Sequence, residues 1–361
     1  MTNPLASVVV NTYNHERFIA QALQSVLDQT FPADQMEIIV VDDGSTDSTP
    51  QIIQTFLPRI RYIRKENGGQ VSAFHAGVAE ARGDIVAFLD GDDWWAPDKL
   101  VAVMDAFEKN PAVACVGHAY YEVDSNGRIT ATMVPAEDHL SLESSRAAEL
   151  ASSLRTFLGT SRFAIRRAVL EKTLPVPDEL PFFDNFVFSQ AVAISGGVLL
   201  KQPLCYYRLH ANNLFASSSQ DKRLLWTKHR LLSGLLKHLP PRLASLGVPE
   251  EIVSVYWGTD RQHADRLRLK LEGGKWLDTF RVERACFHLE YRNPSIGYRL
   301  FKFFVLLLTV LVPARTFYRL RDWYARKNFG RARRLLGDAE PIELQSFIQR
   351  QEVAVPNRQP K

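Results

Sequence analysis

Three carboxylates stand within four consecutive positions of the segment Phe88 to Trp95, which reads FLDGDDWW: Asp90, Asp92 and Asp93. The segment from Asp84 to Leu89, apolar after its first residue, precedes them and predicts a strand that ends at Asp90. Charges of one sign this close repel, so a compensating group is expected. Mn2+ and Mg2+ prefer oxygen ligands and are often held by one or two carboxylates plus substrate phosphates. The segment alone leaves a metal site, a solvated acidic turn and a calcium loop open, although the spaced ligands that would continue a calcium loop are missing.

Two other predicted strands also end in polar motifs: NTYN follows the strand at 7–10, and DDGSTD follows the strand at 37–41. Apolar strands that alternate with helices predict a buried parallel sheet, and ligands bind beyond the carboxyl ends of such strands. DDGSTD is open to two interpretations, a helix-capping turn or an acceptor for a base or ribose. The aromatic ring after the first strand either packs or stacks on a base. The residues concerned are Asn11, Thr12, Tyr13, Asp42 and Asp43.

Composition limits the class of protein and its compartment. The chain has 361 residues, 46% hydrophobic and 23% charged, with a net charge of +4, which is ordinary for a globular protein and gives no argument for nucleic acid. The three scattered cysteines lack metal-ligand spacing and favour a reducing compartment. MTNPLASVVVNTYN lacks the pattern of a secretory signal, so we expect a cytoplasmic protein or one on the cytosolic face of a membrane. Neither common glycine-rich phosphate loop is present.

The motifs VVVNTYN, IIVVDDGSTDST and ENGGQVSAFHAGVAEARGDIVAFLDGDDWWAPDKL, in that order and at those intervals, resemble a family 2 glycosyltransferase over roughly residues 5–210. The resemblance implies the α/β GT-A fold, Rossmann-like with a mostly parallel sheet flanked by helices, and inverting sugar transfer with Mn2+ or Mg2+. It assigns Asp92, Asp93 and His210 to the metal, and leaves open which of Asp90, Asp92 and Asp93 binds it directly. The nucleotide-sugar residues that it implies are Asn11, Thr12, Tyr13, Asp42, Asp43, Gly69, Asp90, Gly91 and Asp92.

The family's catalytic base is the Asp of a Glu-Asp pair at the start of a helix. Asp184 in PFFDNFVFSQ is similar in position, with Phe183 where the first acid would stand. Its alternative role is to open the helix, since an Asp in a first turn needs no further reason. An apolar setting between Phe183 and Phe186 is expected to raise its pKa toward the range useful for a base.

The sequence departs from the family pattern in one place and matches it in another. The family often has Ala-Arg-Asn where this chain has AFHAG at 73–77, which puts the corresponding nucleotide or sugar contacts in doubt. His75 either substitutes for them or lies on a buried helix face. YYRLHANN resembles the family's Y-R-x-H segment, in which Arg208 and His210 would approach the metal or diphosphate, with a structural histidine as the alternative for His210. These departures also leave open a catalytically silent nucleotide-sugar-binding or scaffold protein.

We expect a GT-A domain at 1–215, a helical region at 216–340 and a flexible tail at 341–361. FFVLLLTVLV, at 303–312, is shorter than the ~20 residues that a membrane-spanning helix needs. Basic and aromatic residues alternate after it, so the segment 297–335 predicts contact with a membrane surface, with a solvated helix packed on the catalytic domain as the alternative. The resemblance implies a UDP-sugar donor and a glycan or lipid-linked acceptor in cell-surface polysaccharide synthesis. Oligomeric state cannot be read from the sequence.

Overall fold

A computed structural model describes residues 5–155, 157–210, 221–290, 296–321, 323 and 348–352. The strands are β1 (Ala6–Thr12), β2 (Met36–Asp42), β3 (Arg61–Arg64), β4 (Ile85–Asp90), β5 (Trp94–Trp95), β6 (Cys115–Val123), β7 (Ile129–Pro135), β8 (His139–Leu140), β9 (Phe163–Arg166), β10 (Gly197–Arg208) and β11 (Ile348–Glu352). The α-helices are α1 (Ile19–Leu27), α2 (Thr49–Gln54), α3 (Gln70–Glu80), α4 (Lys99–Lys109), α5 (Ser145–Leu154), α6 (Arg167–Thr173), α7 (Asp184–Ser195), α8 (Lys222–Ser245), α9 (Glu250–Glu272), α10 (Trp276–Glu290) and α11 (Ile296–Leu311).

One mixed sheet runs through the molecule in the order β11-β7-β6-β9-β4-β1-β2-β3. Strand β1 pairs in parallel with β2 and β4, and β2 pairs in parallel with β3. Strand β9 is antiparallel to both β4 and β6, whereas β10 runs parallel to β6. The predicted α/β architecture is confirmed, and the polar motifs follow the parallel strands β1, β2 and β4.

The register of the sheet brings the motifs together. Asn11 of β1 pairs with Asp90 of β4, and Thr12 pairs with Asp42 of β2. All of β1 is buried, as its unbroken apolar run predicts for a strand covered on both faces. Helix α3 lies close against this strand, because a Cβ added to Gly77 would come within 2.4 Å of Val9 Cγ1.

Helix α5 begins after Ser144, whose side chain accepts a hydrogen bond from Ala147 N and caps the first turn.

Helices α8 and α9 pack into the same core as the sheet. Leu235 and Leu239 of α8 and Tyr256 of α9 are buried in one continuous cluster with the strands. Ser189 Oγ and the Tyr256 hydroxyl share a 2.6 Å hydrogen bond, and Arg155 forms a buried ion pair with Asp260. The core therefore continues from the sheet into α8 and α9. The predicted boundary at 215 stays a prediction, because residues 211–220 lie outside the described part of the chain.

Helix α11 has a row of exposed apolar side chains along one face, called the apolar stripe below. It contacts α10 through its opposite face, where Thr309 is buried. In the described part of the chain, no helix combines the length and apolarity required to cross a bilayer. Within the expected tail at 341–361, Ile348–Glu352 forms β11 against β7, and its other residues lie outside the described part. The exposed stripe, at helical spacing, consists of Ile296, Leu300, Phe303, Phe304, Leu307, Leu308 and Leu311.

Candidate active site

The three clustered carboxylates face three different partners. Asp92 Oδ2 lies 2.9 Å from His210 Nε2 and 3.9 Å from His15 Nε2. Asp90 Oδ1 accepts a 3.0 Å hydrogen bond from Gln70 Nε2. Asp93, which is 3% exposed, accepts a hydrogen bond from the backbone N–H of Arg208 at 3.0 Å. Only Asp92 of the three thus contacts imidazole side chains.

Burial and mutual repulsion separate the pKa values of these carboxylates. Burial raises the pKa of Asp90 well above its usual range, and the charges of Asp92, Asp93 and Asp184 add to the effect. Burial, together with the charge of Asp92, raises the pKa of Asp93 to about 7. Burial also acts to raise the pKa of Asp92, but the hydrogen bond with His210 and the neighbouring imidazoles outweigh it and lower that pKa. Asp92 is therefore the carboxylate best able to stay ionised.

Buried polar groups around Ser161 hold the acidic cluster in place. The backbone N–H of Asp90 donates to Ser161 Oγ at 3.0 Å, and Lys99 Nζ donates to the Ser161 carbonyl at 2.8 Å. Lys99 also lies 3.5 Å from the centre of the Trp95 ring, and burial lowers its pKa to about 7. Trp94 stacks on Tyr206. The tryptophans of FLDGDDWW thus pack against other side chains around the acidic turn.

The end of β1 presents a polar side chain that has no protein partner. Asn11 is 5% exposed, and neither its amide nitrogen nor its amide oxygen has a hydrogen-bond partner among the described residues. Such groups are rare in protein interiors because an unpaired buried polar atom costs free energy. Tyr13 beside it is 44% exposed, so its ring face is accessible. A polar amide beside an exposed aromatic ring suits a base or ribose.

Asp42 and Asp43 differ in position although they are adjacent. Asp42 is fully buried and accepts hydrogen bonds from the Tyr62 hydroxyl at 2.9 Å and from Ser45 N at 2.8 Å. The carboxylate thus holds the DDGSTD turn, and its place in the nucleotide-sugar site stays a prediction. Asp43 accepts hydrogen bonds from Gly69 N at 2.7 Å and from Lys65 Nζ, and so fixes the loop before α3 against the end of β2.

Two glycines are required by the geometry. Gly69 has a φ of +85°, a left-handed conformation that disfavours a side chain, and directly precedes α3. A Cβ on Gly91 would lie 2.6 Å from Thr12 Oγ1 and 2.9 Å from His15 Nδ1. The D-G-D turn can therefore approach β1 only with glycine at its centre.

Asp184 lies in the first turn of α7, as predicted, and near the acidic cluster. Its charge contributes to the raised pKa of Asp90, and burial raises its own pKa. Asp184 Oδ1 accepts a hydrogen bond from Asn185 N at 2.7 Å. Phe183 stacks on Phe74 with ring centres 3.9 Å apart, so the position before Asp184 is part of the apolar core.

His75 and His15 have different environments. His75 Nε2 accepts a 3.2 Å hydrogen bond from Val176 N, and its ring lies 5.6 Å from that of Phe74, which fits the structural interpretation. His15 was not predicted as a site residue. It is near Asp92, and its Nδ1 lies 3.3 Å from Thr12 Oγ1. The sequence signal that could have identified it is its place just after NTYN at a strand end.

The described residues contain no group of three His, Cys, Asp or Glu side chains that could hold a metal ion without a further ligand. Asp92 and His210 provide one oxygen and one nitrogen at hydrogen-bond distance. Any ion held here would need oxygen ligands from a bound substrate.

Comparison with known proteins places this geometry in a family. The model described as glycosyl transferase family 2 matches residues 7–174. An uncharacterized glycosyltransferase of Nostoc sp. is 35% identical over 220 residues, 59% of this chain and 67% of that protein. The putative glycosyltransferase EpsH of Bacillus subtilis is 30% identical, over 59% of this chain and 63% of EpsH. Chondroitin synthase of Escherichia coli is 35% identical over 129 residues, only 18% of that protein.

Solved structures share the fold at low sequence identity. TarS 1-349 of S. aureus in complex with UDP has a TM-score of 0.57 at 19% identity, and covers 90% of this chain and 91% of its own. The mannosyltransferase PcManGT from Pyrobaculum calidifontis, in complex with GDP-Man and Mn2+, has a TM-score of 0.51 at 18% identity over 91% of this chain and 88% of its own. These likenesses establish the GT-A fold, and the sequence relatives establish the family. The chain is a glycosyltransferase that belongs to glycosyl transferase family 2.

Proposed function

We propose that this enzyme is an inverting, metal-dependent transferase that moves a sugar from a UDP-sugar to a hydroxyl of a glycan or lipid-linked acceptor in cell-surface polysaccharide synthesis. The observation that carries the proposal is Asn11, a buried amide with no hydrogen-bond partner among the described residues, at a sheet edge that it shares with Asp90. A bound nucleotide would satisfy this amide. The exposed ring of Tyr13 supplies a stacking face for the base.

Asp92 and His210 fit a divalent ion that is shared with a diphosphate. Their 2.9 Å contact shows that both side chains converge on one point, and the lowered pKa of Asp92 keeps its carboxylate available. Mn2+ or Mg2+ bound there would neutralise the diphosphate leaving group. Asp93 is buried and accepts a hydrogen bond from Arg208 N, which favours a positioning role for Asp93. This bond holds the end of β10, and with it His210, beside Asp92.

The chemical step then depends on Asp184. Its raised pKa suits a general base, which removes the proton from the acceptor hydroxyl as that oxygen attacks the anomeric carbon. Attack from the face opposite the departing diphosphate inverts the configuration, through a transition state with oxocarbenium character. Phe183, directly before Asp184, stacks on Phe74 in the apolar core, which gives the base a partly apolar setting.

The names of relatives support the substrate classes. TarS has been crystallised with UDP and with UDP-GlcNAc, whereas the Pyrobaculum mannosyltransferase holds GDP-Man with Mn2+. Chondroitin synthase of Escherichia coli and hyaluronan synthase of Pasteurella multocida are named for polysaccharides. A UDP-sugar and a glycan acceptor are therefore our first choice, with a GDP-sugar as the comparison in any screen.

A cytoplasmic enzyme at the cytosolic face of the inner membrane would reach a lipid-linked acceptor. The exposed apolar stripe of α11 supports contact between the segment 297–335 and that surface, as do the exposed Arg299, Arg315 and Arg319. In the described part of this segment the stripe is exposed, whereas Phe317 and Tyr318 are buried in a cluster with residues of α9 and α10, so part of the segment also packs on neighbouring helices. Residues 324–335 lie outside the described part of the chain.

Two measurements test the function. Thermal-shift assays with UDP-, GDP- and dTDP-sugars in MnCl2 should identify the donor, and the selected donor should then be hydrolysed or transferred in a metal-dependent way. Asp184→Asn should reduce transfer by about 10²- to 10⁴-fold, the usual contribution of a general base, with the donor-induced thermal shift retained. Asp105→Asn, which neutralises an aspartate that is 58% exposed on α4, is the matched control.

Near-wild-type transfer by Asp184→Asn would remove this residue from the role of base. Absence of both hydrolysis and transfer, with donor binding retained, would instead support the catalytically silent nucleotide-sugar-binding protein.

A further inference from the structure

A cavity of about 290 Å³ opens beside the active site, between the first turn of α3, the loop before α7 and helix α8. Its volume lies near the lower end of the range for small-molecule sites, roughly 300–1,000 Å³. It is therefore large enough for one sugar ring rather than for a whole nucleotide sugar. Six of the residues that line it carry the inference: Gly69, Gln70, Asp178, Phe182, Thr227 and Arg230.

The lining of the cavity is connected to the active site at two points. Gln70 Nε2 donates to Asp90 Oδ1 at 3.0 Å, which joins one wall to the acidic cluster. Phe182 precedes Asp184 by two positions, so the loop that forms another wall leads into the proposed base. The lining includes neither Asp92 nor His210, so a ligand in this cavity would leave that pair unoccupied.

The chemistry of the lining suits a carbohydrate. Gln70 Oε1 is buried and has no hydrogen-bond partner among the described residues, so it can accept from a ligand hydroxyl. Asp178 offers a carboxylate and Thr227 a hydroxyl, while Arg230 is an exposed cation on α8. The loop side, including Phe182, is apolar. A pyranose presents the complementary combination of a hydroxyl-rich edge and an apolar C–H face.

We propose that this cavity binds the terminal sugar of the acceptor, and that Thr227 and Arg230 of α8 contribute to acceptor recognition. The inference rests on the proposed transferase function and names a part of its acceptor site. The donor's own sugar has the same chemistry, but two observations favour the acceptor. The loop that carries Phe182 continues into the base that must contact the acceptor hydroxyl, and the lining includes neither Asn11 and Tyr13, proposed for the base, nor Asp92, proposed for the diphosphate.

The test uses the full chain with MnCl2 and UDP. Saturation-transfer NMR measures binding of four soluble probes: the p-nitrophenyl β-glycosides of glucose, galactose, N-acetylglucosamine and glucuronic acid. We expect the wild type to bind at least one of them. Arg230→Ala should weaken that binding about three- to tenfold, the effect of one lost hydrogen bond, and Thr227→Trp, which fills the cavity, should abolish it. Arg261→Ala, which removes an exposed arginine of α9 outside the cavity lining, is the matched control.

Donor binding is measured on the same variants by thermal shift with the nucleotide sugar selected above. Loss of glycoside binding with an unchanged donor shift supports the acceptor site. A reduced donor shift in Arg230→Ala and Thr227→Trp would assign the cavity to the donor and overturn the inference. Unchanged glycoside binding in both variants, or no glycoside binding by the wild type, would also overturn it. A wild type without any donor shift would contradict the proposed function itself, so the two failures are distinguishable.

Discussion

The apolar stripe of α11 gives a quantitative prediction for membrane binding. Leu307 and Leu308 are each 45% exposed, and burying a whole leucine side chain is worth about 1.5–3 kcal/mol. The double substitution Leu307→Glu/Leu308→Glu therefore removes about 1 kcal/mol at each position. Each new carboxylate is also repelled by anionic lipid, at about 1 kcal/mol per charge near the surface. The sum, about 4 kcal/mol, corresponds to roughly a thousandfold weaker partitioning.

Co-sedimentation with vesicles measures this change. Wild-type protein should partition onto vesicles of phosphatidylcholine mixed with phosphatidylglycerol more strongly than onto phosphatidylcholine alone, and added salt should weaken the difference because exposed charges are screened. Leu57→Glu/Val101→Glu is the matched control, since it places the same two charges on exposed apolar positions of the sheet domain. Circular dichroism confirms that both variants are folded.

Equal partitioning of wild type, test variant and control would refute the reasoning. So would a wild type that is dimeric in solution and becomes monomeric in the α11 variant without any change in vesicle binding. In that case a second copy of the chain, and not a bilayer, would cover the stripe.

Other predictions concern the site itself. Asn11→Ala should raise the KM for the donor up to about tenfold, the value of one or two hydrogen bonds. Little change in Tm is expected, because the amide has no hydrogen-bond partner in the part of the chain that the structure describes; a large fall in Tm would contradict this. EDTA should abolish transfer, and MnCl2 should restore it. Asp92→Ala or His210→Ala should raise the Mn2+ concentration for half-maximal activity at least about tenfold, a loss typical even of outer-shell substitutions. An unchanged Mn2+ requirement in both variants would exclude both residues as ligands. Burial raises the pKa of Asp93 to about 7, so the folded state binds this proton more tightly than the unfolded state, and the metal-free protein should lose stability as pH rises from about 4 through 7. Urea unfolding should show a smaller loss for Asp93→Asn over that interval, and an identical pH profile would argue against the raised pKa.

The part of the fold that could be predicted from sequence is the part with unbroken apolar strands. β1, β2 and β4 are buried on both faces, so their composition indicates both strand and parallel pairing. The antiparallel placement of β9 between β4 and β6 could not be read, because a short strand carries no information about its neighbours. The same limit applies to β10, whose irregular register against β6 involves Pro203.

The candidate site also contains residues whose positions could be predicted from sequence and residues whose positions could not. Asn11 and Asp90 could be placed together, because both stand at the ends of predicted parallel strands. The hydrogen bond from Tyr62 to Asp42 could not be read from the motif, since Tyr62 belongs to another strand. Ser161 lies outside any motif and reaches Asp90 only through the tertiary fold.

Because α8 and α9 share one core with the sheet, the point at which the chain is truncated decides whether the site survives. The family match ends at residue 174, yet His210 approaches Asp92 from the far end of β10. A fragment that stops at 174 would therefore lose one side of the site. A fragment that stops at 210 would keep both carboxylate and imidazole, but it would strip Tyr256 and its helices from the sheet and expose the apolar surface beneath them. The smallest transferable catalytic module thus extends through the first half of α9, and insertions or fusions belong beyond that point.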